Sequence, residues 1–119
     1  MKAIKISDVA PVDKSHETIF RGKVTIQPIF GAPGKAQEGI SVGVVNFSPG
    51  AVNVFHTHAM DQVLYVTEGI GIVATEKEEI KVTPGTVIVI PAGEKHWHGA
   101  TKDSAFSHLA ITLPGETKW

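Results

Sequence analysis

A chain of 119 residues, 42% hydrophobic and 19% charged, is long enough for one compact domain with a core and too apolar to stay disordered. Eleven basic and twelve acidic side chains leave a formal charge of −1, so no summed positive field exists to hold nucleic acid or an anionic membrane surface, and neither is expected as a partner. With no cysteine there is no disulfide framework, thiolate nucleophile or iron–sulfur cluster, and any metal must be held by nitrogen and oxygen. No apolar run approaches the ~18 residues needed to span a bilayer, and Met1 to Ala10 is charged and alternating rather than signal-like. The expected location is cytoplasmic.

In chain order, alternating or β-branched segments predict strands at Lys2 to Ile6, Lys23 to Phe30, Ile40 to Phe47, Val52 to Thr57, Gln62 to Glu68, Ile70 to Ala74, Glu79 to Val82, Thr86 to Ile90 and Ser104 to Leu113. Between them stand turn formers such as Ser48-Pro49-Gly50, Glu68-Gly69, Thr83-Pro84-Gly85 and Pro91-Ala92-Gly93, the punctuation of antiparallel hairpins. No window of twelve or more residues holds a helical apolar stripe, so a parallel βαβ sheet has no crossover helix to draw on. An all-β sandwich or barrel remains. Gly31-Ala32-Pro33-Gly34-Lys35 reads as a surface loop, and the acidic run Glu76-Lys77-Glu78-Glu79 as a solvated hairpin loop. The chain divides into N-terminal strands and loop over 1–39 and a barrel over 40–113, within one domain spanning 1–119.

Histidine spacing carries the chemistry. Five of the six histidines lie between His56 and His108, and four form two His-x-His pairs. In a strand alternate side chains share a face, so His56 and His58 project together roughly 6.7 Å apart, as do His96 and His98. A hairpin after Ala59-Met60-Asp61 returns Gln62 beside the first pair. Imidazoles plus a carboxamide oxygen suit a borderline divalent ion such as manganese, iron(II), cobalt, nickel or zinc, and disfavour calcium and magnesium. His16 has no partner at strand spacing and is expected to be exposed. Trp97 alternates away from its neighbouring histidines, so it should face outward and need covering by a second subunit.

Two motifs organise these residues. The first runs Gly50, five residues, His56-Thr57-His58, three residues, Gln62, six residues, Gly69; the second runs Gly85, five residues, Pro91-Ala92-Gly93-Glu94-Lys95-His96, three residues, Ala100. Their order and spacing resemble the two motifs of the cupin superfamily. Two positions depart from that pattern: Gln62 stands where the motif has Glu, and Ala100 where it has Asn. A neutral Gln62 leaves the ion's charge less compensated by one unit, which strengthens its pull on an anionic group. The narrower pattern of His-Thr-His-x-x-x-Gln, Gly93 to Ala100 and Ser107-His108-Leu109-Ala110-Ile111 resembles the bacterial manganese-dependent cupin hydroxynitrile lyases.

That resemblance implies an antiparallel jelly-roll barrel, metal ligands His56, His58, Gln62 and His96, and His108 as a catalytic base. Gln62 has a second reading, as a residue that hydrogen-bonds a ligand rather than the ion. His98 is assigned to the pocket lining. The implied activity is cleavage of a carbon–carbon bond in a cyanohydrin-like small molecule, with manganese as the first expectation for the metal. An iron-dependent dioxygenase and a non-enzymatic metal- or ligand-binding cupin are the alternatives. A homodimer is expected from Trp97, from the two leading strands and from the habit of cupin relatives.

Overall fold

A computed structural model describes residues 1–31 and 39–119. The architecture is all-β, with no α-helix among the described residues. The first sheet holds six strands: β1 (Val12–Asp13), β3 (Val24–Phe30), β4 (Ser41–Phe47), β12 (Phe106–Thr112), β7 (Gln62–Gly69) and β10 (Val87–Ile90), hydrogen-bonded in that order. The second holds β2 (Phe20–Arg21), β5 (Val52–Asn53), β11 (His96–Ala100), β8 (Gly71–Thr75) and β9 (Glu79–Val82). A separate pair joins β13 (Thr117–Lys118) to β6 (Thr57–His58). Every pairing is antiparallel. The two large sheets enclose the core as an open jelly roll, without a continuous hydrogen-bonded seam.

Strand alternation builds that core directly. On β7 Gln62, Leu64 and Val66 are buried while Val63 and Tyr65 face outward, and on β12 Phe106 and His108 point inward. Phe47 stacks on Phe106 at 6.0 Å and meets the edge of Phe20 at 6.3 Å, so aromatic rings from both sheets meet in the middle. Val24, Val66, Val73 and Val82 complete the cluster. Half of the interior is thus apolar, and the other half holds the histidines.

The structure corrects several sequence expectations. Lys2 to Ile6 forms no strand: Ile6–Asp8 is a short 3₁₀ turn, because Gln27 Nε2 donates to the Ile6 and Val9 carbonyls and ties the segment across the outside of the sheet, while β1 takes the free edge of β3. The span Val52 to Thr57 is broken into β5 and β6. Between them His56 makes an isolated bridge to His96, with its N–H donating to His96 O at 2.9 Å and the reciprocal bond at 3.0 Å. Trp97 does face away from the histidines, but its own chain half-buries it, so it presents no large wet apolar surface. His16 is exposed, as its isolation suggests. Of the loop Gly31 to Lys35, residues 32–35 lie outside the described residues. No helix among the described residues is long and apolar enough to cross a membrane.

Gly69 closes the β7–β8 hairpin with φ +77°, and a Cβ there would overlap the Ala105 carbonyl oxygen. Both left-handed strain and backbone collision oppose a side chain. Gly69→Ala is therefore expected to lower folding stability by at least about 2 kcal/mol in urea denaturation; an unchanged midpoint would show that this turn is not a tight constraint.

Candidate metal centre

Strand β6, the bridged residue before it and strand β11 bring three imidazoles to one point. The ligand atoms of His56, His58 and His96 all lie within 4.8 Å of one another, and the ring centroids are 4.9 Å apart for His56–His58, 4.2 Å for His56–His96 and 5.2 Å for His58–His96. The reciprocal backbone bonds between His56 and His96 fix this convergence before any ion is present.

The outer nitrogens decide what the inner ones can do. His56 Nδ1–H donates to Val54 O at 2.7 Å and His96 Nδ1–H to Glu94 O at 2.8 Å, carbonyls that can only accept. Neutral rings so held leave Nε2 as a bare lone pair. His58 is held through Nδ1 as well, at 2.9 Å from the Thr117 hydroxyl. Gln62 Nε2 donates to Thr112 Oγ1 at 3.1 Å, which leaves its oxygen as the free end of the amide. Buried and without a hydrogen-bond partner are His58 Nε2, His96 Nε2 and Gln62 Oε1, and, outside this set, His108 Nδ1. Buried acceptors left bare in one place are costly unless a cation meets them, so the donor set fits a divalent transition metal.

A second histidine pair adjoins the first. His98 is stacked nearly parallel to His96 at 5.7 Å but stands outside the convergent triad. The Asn53 carboxamide oxygen accepts the His98 backbone N–H at 2.8 Å, which turns Asn53 Nδ2 toward the ring, 3.2 Å from His98 Nε2. The same Nδ2 lies 3.4 Å from His98 Nδ1, so it favours neither tautomer, and His98 Nδ1 stands 3.1 Å from His108 Nε2, close enough for the two rings to share one proton. His108 is fully buried. Asn53 was not singled out from sequence, since a buried asparagine on a short strand has no spacing signal. Thr112 and Thr117 escaped for the same reason.

Burial pushes every one of these imidazoles toward the neutral form. His56 is held down to about 3, first by burial and then by its neighbours His96 and His58; His58 is held down to about 4 by burial and His96, opposed by the Gln62 side chain, which would accept a hydrogen bond from a protonated ring. His96 and His98 are lowered chiefly by burial, and His108 falls to about 4 for the same cause. Neutral imidazole is the form that coordinates metal or accepts a proton.

All of these imidazoles except that of His96 line a pocket of about 240 Å³. His56, His58, Gln62, His98 and His108 form its polar end, and Ile19, Phe20, Ile26, Val45 and Ala110 contribute its apolar wall. Glu17 is the one charged residue that lines it among the described residues.

Comparison with known proteins agrees with the geometry. The cupin domain family model matches residues 43–112, which hold both histidine pairs and His108. The chain belongs to the cupin family. This cupin is 43% identical over 93 residues to the (R)-mandelonitrile lyase of Granulicella tundricola, covering 77% of this chain and 70% of that one. It is also 30% identical over 105 residues to Nectarin-1 of Nicotiana plumbaginifolia, 81% of this chain but 46% of that one. Among solved structures, a cupin-like protein from Thermotoga maritima superposes with TM-score 0.77 at 30% identity, over 84% of this chain and 77% of that one. A predicted oxalate decarboxylase from the same organism gives 0.82 at 18% identity, over 95% and 99%, a likeness of fold alone.

In metal-free protein these five imidazoles, four of them buried and His58 partly so, are neutral when folded, whereas in the unfolded chain each takes a proton below about pH 6.5. The unfolded state then binds more protons, so stability is lost as pH falls from about 6.5 through 4, and is level above 7 as far as these groups decide it. Urea midpoints of metal-free protein should decline over that window. Midpoints unchanged between pH 7 and 4.5 would contradict neutral burial.

Proposed function

We propose that this cupin is a metal-dependent lyase that cleaves a carbon–carbon bond in a cyanohydrin-like substrate. The observation that carries the reading is the pocket itself: one polar end of bare imidazole and carboxamide acceptors, one apolar wall, and no lysine or arginine lining it among the described residues. Such a site suits a molecule with an apolar body and one polar head, and offers no side-chain cation to a second carboxylate. Similarity to a protein described as an (R)-mandelonitrile lyase supports the same class.

In this reading His56, His58, Gln62 and His96 hold one divalent ion, manganese before iron, zinc, nickel or cobalt. The ion, when bound, supplies Lewis acidity that lowers the pKa of a substrate hydroxyl and favours cyanide as a leaving group. The chain's own residues do the rest. The His98–His108 pair receives the hydroxyl proton: His98 Nδ1 and His108 Nε2 stand 3.1 Å apart and share one proton, and His108 is the base on which the hydroxyl proton comes to rest. As the proton leaves, the electrons of the O–H bond form the carbonyl and those of the carbon–carbon bond leave with cyanide. Ile19, Phe20, Ile26 and Val45 exclude water and orient the apolar body.

A homodimer belongs to the same proposal, with its support moved from Trp97 to the outer face of the six-stranded sheet. There Tyr65, Val87 and Val89 are 43%, 57% and 66% exposed, and strand register sets Val87 beside Tyr65 and Val89 beside Val63 on one surface. Light scattering at ~50 μM, far above a micromolar dissociation constant, should give twice the chain mass, and Val89→Glu should reduce it to one chain. A monomeric mass for the unaltered protein would remove the dimer.

The activity test uses manganese-loaded protein and mandelonitrile. Cyanide release is expected, and His108→Ala should keep the metal yet lose on the order of 10²–10⁴-fold in rate. If the variant instead melts earlier while its folded fraction turns over normally, His108 is packing and not a base. Substrate-dependent oxygen uptake by iron-loaded protein, without cyanide release, would favour a dioxygenase. No reaction in either assay would contradict the lyase reading and favour a binding cupin.

A further inference from the structure

The three histidines of the metal centre are not held alike. His56 and His96 each donate to a main-chain carbonyl two residues away, so their ring positions are fixed by local backbone. His58 Nδ1 instead meets a side-chain hydroxyl 59 residues distant, Thr117 Oγ1, at 2.9 Å. A carbonyl accepts only, and so dictates one tautomer; a hydroxyl can accept or donate, and so depends on being in the right place.

What puts Thr117 in place is a short clasp. Strand β13 belongs to neither large sheet, and pairs only with β6, Thr117 opposite His58 and Lys118 opposite Thr57. Ala59 N–H donates to Glu116 O at 2.9 Å on one side, and Trp119 Nε1–H to Thr18 Oγ1 at 3.0 Å on the other. Thr117 and Trp119 line the same pocket as His58, beside Glu17 and Ile19. The segment therefore touches the ligand shell and the pocket wall at once, yet rests on few bonds.

We propose that Thr117 is a positioning residue for the metal centre, and that residues 116–119 form a clasp whose seating and metal binding reinforce each other. The inference rests on the reading that His58 is a metal ligand. A seated clasp holds His58 with Nδ1–H outward and Nε2 inward; an ion on Nε2 in turn keeps Nδ1 protonated and donating to Thr117. Because linkage is reciprocal, whatever the clasp adds to metal affinity the metal returns to the clasp. The partner is of the second tier around an ion, where loss of an orienting group commonly costs 10–100-fold in affinity.

The test measures zinc(II) affinity by competition with a chromophoric chelator in the full chain, for unaltered protein, Thr117→Val and Thr117→Ser. Valine keeps the shape and removes the acceptor; serine keeps the acceptor. Thr117→Val should bind zinc(II) 10–100-fold more weakly, and Thr117→Ser should restore affinity to within a few-fold, while metal-free melting of both shows that the fold is intact. As a second readout, zinc(II) should slow backbone amide exchange across residues 116–118 in the unaltered protein. Equal affinity of Thr117→Val and unaltered protein, or exchange at 116–118 indifferent to zinc(II), would overturn the clasp while leaving the metal centre standing. No zinc(II) binding by the unaltered protein would overturn both.

Discussion

Everything near the centre of this protein answers to one constraint: polar nitrogens buried in an apolar jelly roll with their lone pairs aimed at one point. His58 Nε2 and His96 Nε2 have no hydrogen-bond partner, and neither does Gln62 Oε1. In an interior such atoms are unfavourable singly and more so together. A cation among them reverses the sign, because the same low dielectric that penalises an orphaned acceptor strengthens its attraction to positive charge. The surrounding hydrogen bonds make sense in that light. Val54 O and Glu94 O each occupy an outer nitrogen and so commit the inner one to acceptance, and Thr117 Oγ1 holds the outer nitrogen of His58.

The fold supplies the frame for this arrangement. Aromatic packing of Phe20, Phe47 and Phe106 closes one part of the interior, and Phe47 also lies against His98 and His108 at 6.0 and 5.7 Å. The apolar core thus forms the floor of the polar site. Burial by that floor keeps the histidines neutral, which is the state both coordination and proton acceptance require. Loss of stability in acid and readiness for metal therefore trace to the same desolvation.

Much of this was legible in the sequence, for identifiable reasons. Alternating and β-branched segments located β3, β4, β7, β8, β9, β10 and β12, with β7 the clearest case of burying one face and leaving the other toward solvent. Two His-x-His pairs announced convergence on one face, and turn residues at Gly50, Gly69, Gly85 and Gly93 all adopt positive φ. What spacing does not encode is the partner of an imidazole's second nitrogen. Asn53 meets His98 across 45 residues and Thr117 meets His58 across 59, contacts set by topology rather than by local pattern. Lys2 to Ile6 misled because alternation speaks to amphipathicity, whereas a strand also needs a free neighbouring edge, and β1 had taken it. Trp97 misled because facing away from the histidines does not mean facing water.

The central claim is that the buried histidine cluster exists to hold an ion. Elemental analysis of protein purified from manganese-supplemented medium, beside His96→Ala prepared identically, tests it most directly. One divalent transition metal per chain in the unaltered protein and a large loss in His96→Ala is the result predicted, because that substitution removes a buried, bare nitrogen from the convergent set. Unaltered protein without stoichiometric metal, or His96→Ala retaining it in full, would contradict the account.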